Sequence, residues 1–199
     1  EVYGADATPG LFERFQARYG YDLRPYLPLI HNHRPGNLAD RVRHDYRELV
    51  EALFRDEFLA AWRDWSHEHG VQIRLQAHGS PGHLVDLYGL ADIPETEGFG
   101  HEGVIIPVGK FASSGAHLFG RRLCSSETFT WLDDHFHGTL DRMRAKVDDF
   151  FLAGINHVIY HGVPFTPAAV PFPGWLFYAS TNVSEQMPFF PHVRHFNAY

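Results

Sequence analysis

Cysteine is almost absent: Cys124 is the only one in 199 residues, which excludes an internal disulfide framework and any zinc site built from several thiolates. One thiol says nothing about compartment. No apolar run approaches the ~18 residues that crossing a bilayer needs, and the first residues lack the basic-then-apolar order of a signal peptide. No membrane span is expected. Basic residues are few and dispersed, 17 Lys and Arg against 24 Asp and Glu for a formal charge of −7, so no basic stripe could track phosphates and nucleic acid is not an expected partner. Also missing are a Gly-x-Ser-x-Gly elbow, a Walker loop and a Gly-x-Gly-x-x-Gly turn after a strand. Acyl transfer, nucleotide hydrolysis and dinucleotide redox chemistry therefore lack their usual parts. An initiator Met is absent too, and Glu1, Val2, Tyr3, Gly4 reads as the tail of a strand running into a loop. In this reading the chain is a fragment.

What is present belongs to a globular protein with a sizeable core: 44% of the residues are hydrophobic and 21% charged, ordinary values for a soluble domain. Thr8 and Pro9 supply a cap and a first-turn proline, and Leu11, Phe12, Phe15 and Tyr19 follow at helical spacing until Gly20. A short helix is expected over 23–29, and a long one over 38–69, where Val42, Tyr46, Leu49, Leu53, Phe58, Trp62 and Trp65 form one apolar stripe. Gly70 ends it. Residues 71–77 then alternate as a strand, with Ile73, Leu75 and Ala77 on one face and Arg74, Gln76 and, just beyond, His78 on the other. The rhythm continues with a strand over 91–95, a helix over 110–119, a strand over 122–127, a helix over 131–152 and a strand over 157–161.

Alternating strands and helices imply an α/β fold, a parallel sheet covered by helices. With Glu1–Tyr3 counted, five strand ends are present, against eight in a complete barrel of about 250 residues. The expectation is the C-terminal half of a (β/α)8 TIM-type barrel over residues 1–162, its N-terminal half lying upstream. Half a barrel leaves an open edge, so the chain alone is expected to aggregate or fold partly. Over 163–199 the alternation is lost, and Pro164, Pro167, Pro171, Pro173, Pro188 and Pro191 sit among seven aromatic residues. That segment reads as a long aromatic, Pro-rich loop or lid.

In parallel barrels the active site gathers at the carboxyl ends of the strands. Glu1, His78, Glu95, Glu127 and His161 all fall there. Glu127 closes an apolar run in Ser125-Ser126-Glu127-Thr128; the competing reading is a solvated acid at a helix start, worth at most ~1 kcal/mol. Glu95 and Glu97, just after Pro94, are candidates for holding a sugar hydroxyl or a cation, with loop acids as the alternative. His78 is a candidate for ligand contact or a structural hydrogen bond, and His161 for the pocket rim. Trp175 could stack on the apolar face of a sugar or simply anchor its loop. His31 and His33 lie in a Pro-flanked loop with no carboxylate at ligand spacing, and read as loop histidines. Acids at two strand ends suggest a glycosidase, with Glu127 and Glu95 as the first pair to consider.

Four segments carry a family resemblance: Glu1–Gly4 with Thr8, Pro9 and Gly10; RYGYDLRPYLP over 18–28; IPETE over 93–97; and SSETFT over 125–130. Tyr160-His161-Gly162 and Pro173-Gly174-Trp175 extend it. In order and spacing they resemble glycoside hydrolase family 106, the α-L-rhamnosidases and their relatives. The resemblance implies a barrel enzyme that removes terminal α-L-rhamnose from polysaccharide or glycoside with inversion, with calcium helping to hold the sugar hydroxyls. By motif position Glu1 would be the general acid, Glu127 the general base, and Glu95 a further site acid. No calcium ligand follows from the motifs. A bacterial periplasmic or secreted location is also implied.

Inversion needs a protonated acid on the leaving oxygen and an ionised base that activates water, with the carboxyls about 6.5–9.5 Å apart; about 5–5.5 Å would instead make the second residue a nucleophile. The alternatives are therefore a retaining barrel glycosidase and a non-catalytic carbohydrate-binding relative.

Overall fold

In a computed structural model, residues 8–31, 35–100, 105–179 and 181–199 are described. The chain opens with helix α1, Leu11–Tyr19, whose cap is Gly10 at φ 78 rather than Thr8; Thr8 contributes only its carbonyl, to the Leu11 amide at 3.1 Å. Gly20, at φ 79, closes the helix by donating to the Gln16 carbonyl, a left-handed position that favours glycine. A 3-10 turn, Arg24–Tyr26, leads into α2, Leu27–His31. The long apolar stripe then folds as α3, Asn37–Leu53, a π-helical turn over Phe54–Leu59, and α4, Ala60–Glu68. The expected single helix is thus interrupted by a widened turn that periodicity does not reveal.

Four strands follow, each separated from the next by a helix: β1 Arg74–Gln76, α5 Leu84–Leu90, β2 Ile93–Phe99, α6 Ile105–Leu118, β3 Ser125–Thr130, α7 Leu140–Leu152 and β4 His157–Tyr160. They form one parallel sheet in the order β1-β2-β3-β4. The expected strand end at Glu1–Tyr3 lies outside the described residues. A further 3-10 turn, Phe190–His192, and α8, Val193–Phe196, end the chain.

Helices cover one face of this sheet. Ile73, Leu75 and Ala77 of the first strand region pack with Leu59, Leu87, Tyr88, Ala112, Ala116 and Phe150 in the main apolar cluster, so the alternation expected for β1 is observed. Gly115 lets α6 approach α5 closely, since a Cβ there would lie 2.6 Å from that of Tyr88. A second cluster joins Phe129, Trp131, Met143, Val147, Val183, Met187 and Phe189. A third, Leu11, Phe15, Leu23, Val42 and Leu49, binds the N-terminal helices together.

The starts of the strands are tied by side chains. Asp92, just before β2, accepts from the Ile73 amide at 2.8 Å and faces His67 of α4 at 2.9 Å. Asn156, just before β4, accepts from the Cys124 amide and donates to the Arg122 carbonyl, both at 2.9 Å. Each device pins the entry of one strand to the residue that precedes its neighbour.

Element boundaries differ from the sequence reading throughout, α6 for instance starting at Ile105 and not at 110, and three of the differences bear on the site. β2 and β3 run to Phe99 and Thr130, so Glu95, Glu97 and Glu127 sit within strands and do not close them. The helix expected over 131–152 begins only at Leu140, because Phe136 takes a left-handed φ of 66 and Thr139 caps the Arg142 amide. Phe136 stands four residues before Leu140, at helical spacing, yet it packs with Trp131 into the second cluster from a loop.

Candidate active site

The sheet face opposite the helices is polar, and the strand register arranges it in layers. Gln76, Glu95, Ser125 and His157 lie side by side, and the next layer holds Glu97, Glu127 and Ile159. His78 follows β1 and reaches Glu97 Oε2 at 3.2 Å; His161 follows β4 and stands 4.0 Å from Glu127 Oε1. Five of the sequence candidates, His78, Glu95, Glu97, Glu127 and His161, are therefore brought together. Glu1 lies outside the described residues.

The three carboxylates have different surroundings. Glu95 is 6% exposed; its Oε2 meets Arg74 Nε at 3.1 Å and Ser125 Oγ at 2.6 Å, and its Oε1 accepts from Gln76 Nε2 at 3.2 Å. Both oxygens of this buried carboxylate are engaged by protein donors. Glu97 is 9% exposed and faces His78. Glu127 is the open one, with 27% of its side chain exposed. Its Oε2 accepts from Gln76 Nε2 at 2.5 Å, while among the described residues Oε1 meets Thr130 Oγ1 at 3.3 Å and the more distant His161 ring.

Thr130 reaches Glu127 because the strand breaks its own alternation. Regular pleating would put Phe129 on the Glu127 face and Thr130 on the helix face. Instead the register between β2 and β3 shifts after Glu127, and Phe129 adopts a φ of 77. A bulge of this kind re-aims side chains beside a site. The Phe129 ring goes into the second cluster against Trp131 and Tyr160, its carbonyl accepts from Thr181 Oγ1 at 2.8 Å, and Thr130 turns toward the carboxylate. A left-handed aromatic residue is strained, and burial of its ring on several sides is what holds it there.

His161 packs edge-on against Phe177, with ring centroids 5.0 Å apart. Phe177 is 47% exposed and Trp175 57%. The Trp175 amide is held by Thr166 Oγ1 at 3.1 Å, but the aromatic ring next to the carboxylate row is that of Phe177. Gln76, Ser125, Thr130 and Phe177 were not among the sequence candidates. For Gln76 the signal was present, since it shares the polar stripe of Arg74 and His78; Thr130 and Phe177 depend on a bulge and a loop path that no periodicity carries.

Among the described residues no group of three or more His, Cys, Asp or Glu side chains is placed to hold a metal ion, and the oxygens of Glu95 are already taken by Arg74, Ser125 and Gln76. The described donors do not by themselves fit a calcium site. Among the described residues, too, no helix is long and apolar enough to cross a membrane.

Comparison with known proteins bears on the family and the fold. A Formosa agariphila protein carrying the provisional name beta-glucuronidase is 26% identical over 166 residues, covering 81% of this chain and 14% of that protein. The solved structure of a rhamnosidase from Novosphingobium sp. PP1Y superposes with a TM-score of 0.69 at 24% identity, over 98% of this chain and 20% of the other. The chain thus spans about a seventh to a fifth of the length of these proteins, and the second likeness shows a shared fold. The model of the family described as alpha-L-rhamnosidase matches residues 1–199, the whole sequence in which the IPETE and SSETFT carboxylates stand, and the chain belongs to that family, glycoside hydrolase family 106.

Proposed function

We propose that this chain carries the general base of an α-L-rhamnose-cleaving, inverting glycosidase, built on the C-terminal half of a (β/α)8 barrel. The observation that carries the reading is the contrast among the carboxylates: Glu95 and Glu97 are buried and engaged, whereas Glu127 is partly exposed, with Oε2 anchored closely by Gln76 and Oε1 held only loosely by Thr130. In the proposed step Glu127 Oε1 takes a proton from water and the water oxygen attacks the anomeric carbon. The glycosidic C–O bond breaks, and the leaving oxygen takes a proton from Glu1, the acid by motif position.

Family membership supports a glycosidase, and the sequential parallel strands with a layered polar face suit a barrel whose interior holds a sugar. The retaining alternative with Glu95 as partner fits poorly. Gln76 Nε2 touches oxygens of both Glu95 and Glu127, so these oxygens are no farther apart than the sum of 3.2 Å and 2.5 Å. That is inside the roughly 6.5 Å where an inverting pair begins, but Glu95 is buried and held by Arg74, Ser125 and Gln76, which disfavours it as the group that serves the leaving oxygen. Calcium enters this reading only with ligands from outside the described residues, and no step is assigned to it. Trp175 and Phe177 would face the sugar from the exposed loop.

The experiment is proton NMR of the first sugar released from nitrophenyl α-L-rhamnoside by the full-length protein. Inversion gives β-L-rhamnose before mutarotation. Initial α-L-rhamnose would mean retention and make Glu127 a nucleophile, and binding without turnover would favour the carbohydrate-binding alternative.

A further inference from the structure

Gln76 lies on the three-residue strand β1, opposite Glu95 in register, and its amide nitrogen meets two carboxylates at once: Glu95 Oε1 at 3.2 Å and Glu127 Oε2 at 2.5 Å. We propose that Gln76 is the positioning residue of Glu127, anchoring Oε2 so that Oε1 is presented to the attacking water. This rests on the reading of Glu127 as the base.

The chemistry of the amide makes the assignment one-sided. Two N–H groups on one nitrogen can serve two acceptors, whereas the amide oxygen would repel both carboxylates. Glu95 is itself immobilised by Arg74 and Ser125, so Gln76 is held from one side and holds on the other. Glu127 needs such a holder. The terminal torsion of a glutamate is broad and roughly two-fold, and without a donor on Oε2 the carboxylate could turn either oxygen outward. The other groups around it cannot replace that anchor: Thr130 at 3.3 Å and His161 at 4.0 Å both lie on Oε1, and Glu97, its register partner on β2, is an acceptor facing His78.

The test compares Gln76→Leu, Gln76→Asn and Gln76→Glu in the full-length protein with nitrophenyl α-L-rhamnoside. Gln76→Leu removes both N–H groups and should lower kcat about 10- to 100-fold, the cost of a lost charge-assisted hydrogen bond. KM should stay within about twofold, because the anchor acts on the reacting oxygen and not on sugar binding. Gln76→Asn keeps the donors one methylene back and should fall in between. Gln76→Glu is nearest in shape yet replaces donors by a third carboxylate, and should be the slowest of the three. A packing role predicts the reverse order, with Gln76→Glu mildest. That order, or a raised KM with unchanged kcat, overturns the proposal. If Gln76→Leu does not fold, the order of Gln76→Asn and Gln76→Glu decides alone. An inactive Glu127→Gln beside a fully active Gln76→Leu sinks the anchor only, whereas an active Glu127→Gln removes the base reading and the anchor with it.

Discussion

The two ends of the sheet use polar side chains in opposite ways. At the strand starts, Asp92 and Asn156 each accept from a backbone amide of the neighbouring strand entry. Further along the strands, the polar groups of the carboxylate row bond to one another, and one carboxylate, Glu127, stays partly exposed. The first arrangement fixes where strands enter. The second leaves chemistry exposed on a surface that the first has made rigid.

If this division holds, replacements at the start end should cost stability and spare turnover, and replacements at the carboxylate row should do the opposite. The helix-packed core sets the scale. Phe150→Ala, at a fully buried ring in the main cluster, should cost about 3–5 kcal/mol in urea unfolding of the full-length protein. Asp92→Ala should cost about 1–3 kcal/mol, because the Ile73 amide loses its acceptor in a buried strand entry, with kcat of the folded protein unchanged.

That second effect depends on pH. Burial raises the Asp92 carboxyl, but the Ile73 amide and His67 outweigh it and hold it below the ordinary carboxylate range. A depressed folded-state value means that the stabilisation is present above the unfolded value of about 3.9 and is lost as pH falls through the lower folded one. The gap in Tm between wild type and Asp92→Ala should therefore narrow below about pH 4. A gap that is constant with pH would show that the carboxylate charge is not what ties the strand. Asn156→Ala, whose amide carries no charge, should cost about 1 kcal/mol with no such pH dependence.

What the sequence discloses follows the same division. β1 was legible because Ile73, Leu75 and Ala77 alternate strictly with Arg74, Gln76 and His78. The strands that carry the carboxylates were not well bounded, because polar residues lie on both of their faces. Ser126 and Thr128 turn away from the Glu127 face, fully buried, with their hydroxyls 2.5 Å apart. No alternation survives that. Glu95, Glu97 and Glu127 stand out in the sequence as candidate acids through their motifs, whereas their unequal exposure depends on Arg74, Gln76 and Ser125 arriving from neighbouring strands. The left-handed Phe129 hid Thr130, since a strand read at period two assigns it to the wrong face. The late start of α7 has a similar cause: Phe136 imitates helical spacing from a loop.

The smallest expected change in stability belongs to the residue with the largest expected change in activity. Glu127→Gln preserves shape, lies at an open position, and should alter unfolding free energy by no more than about 0.5 kcal/mol. Its kcat on nitrophenyl α-L-rhamnoside is the most direct measurement of the account. A fall of about 10²- to 10⁴-fold with substrate binding retained is the predicted result. Turnover close to that of the wild type, in a protein equally stable, would contradict it.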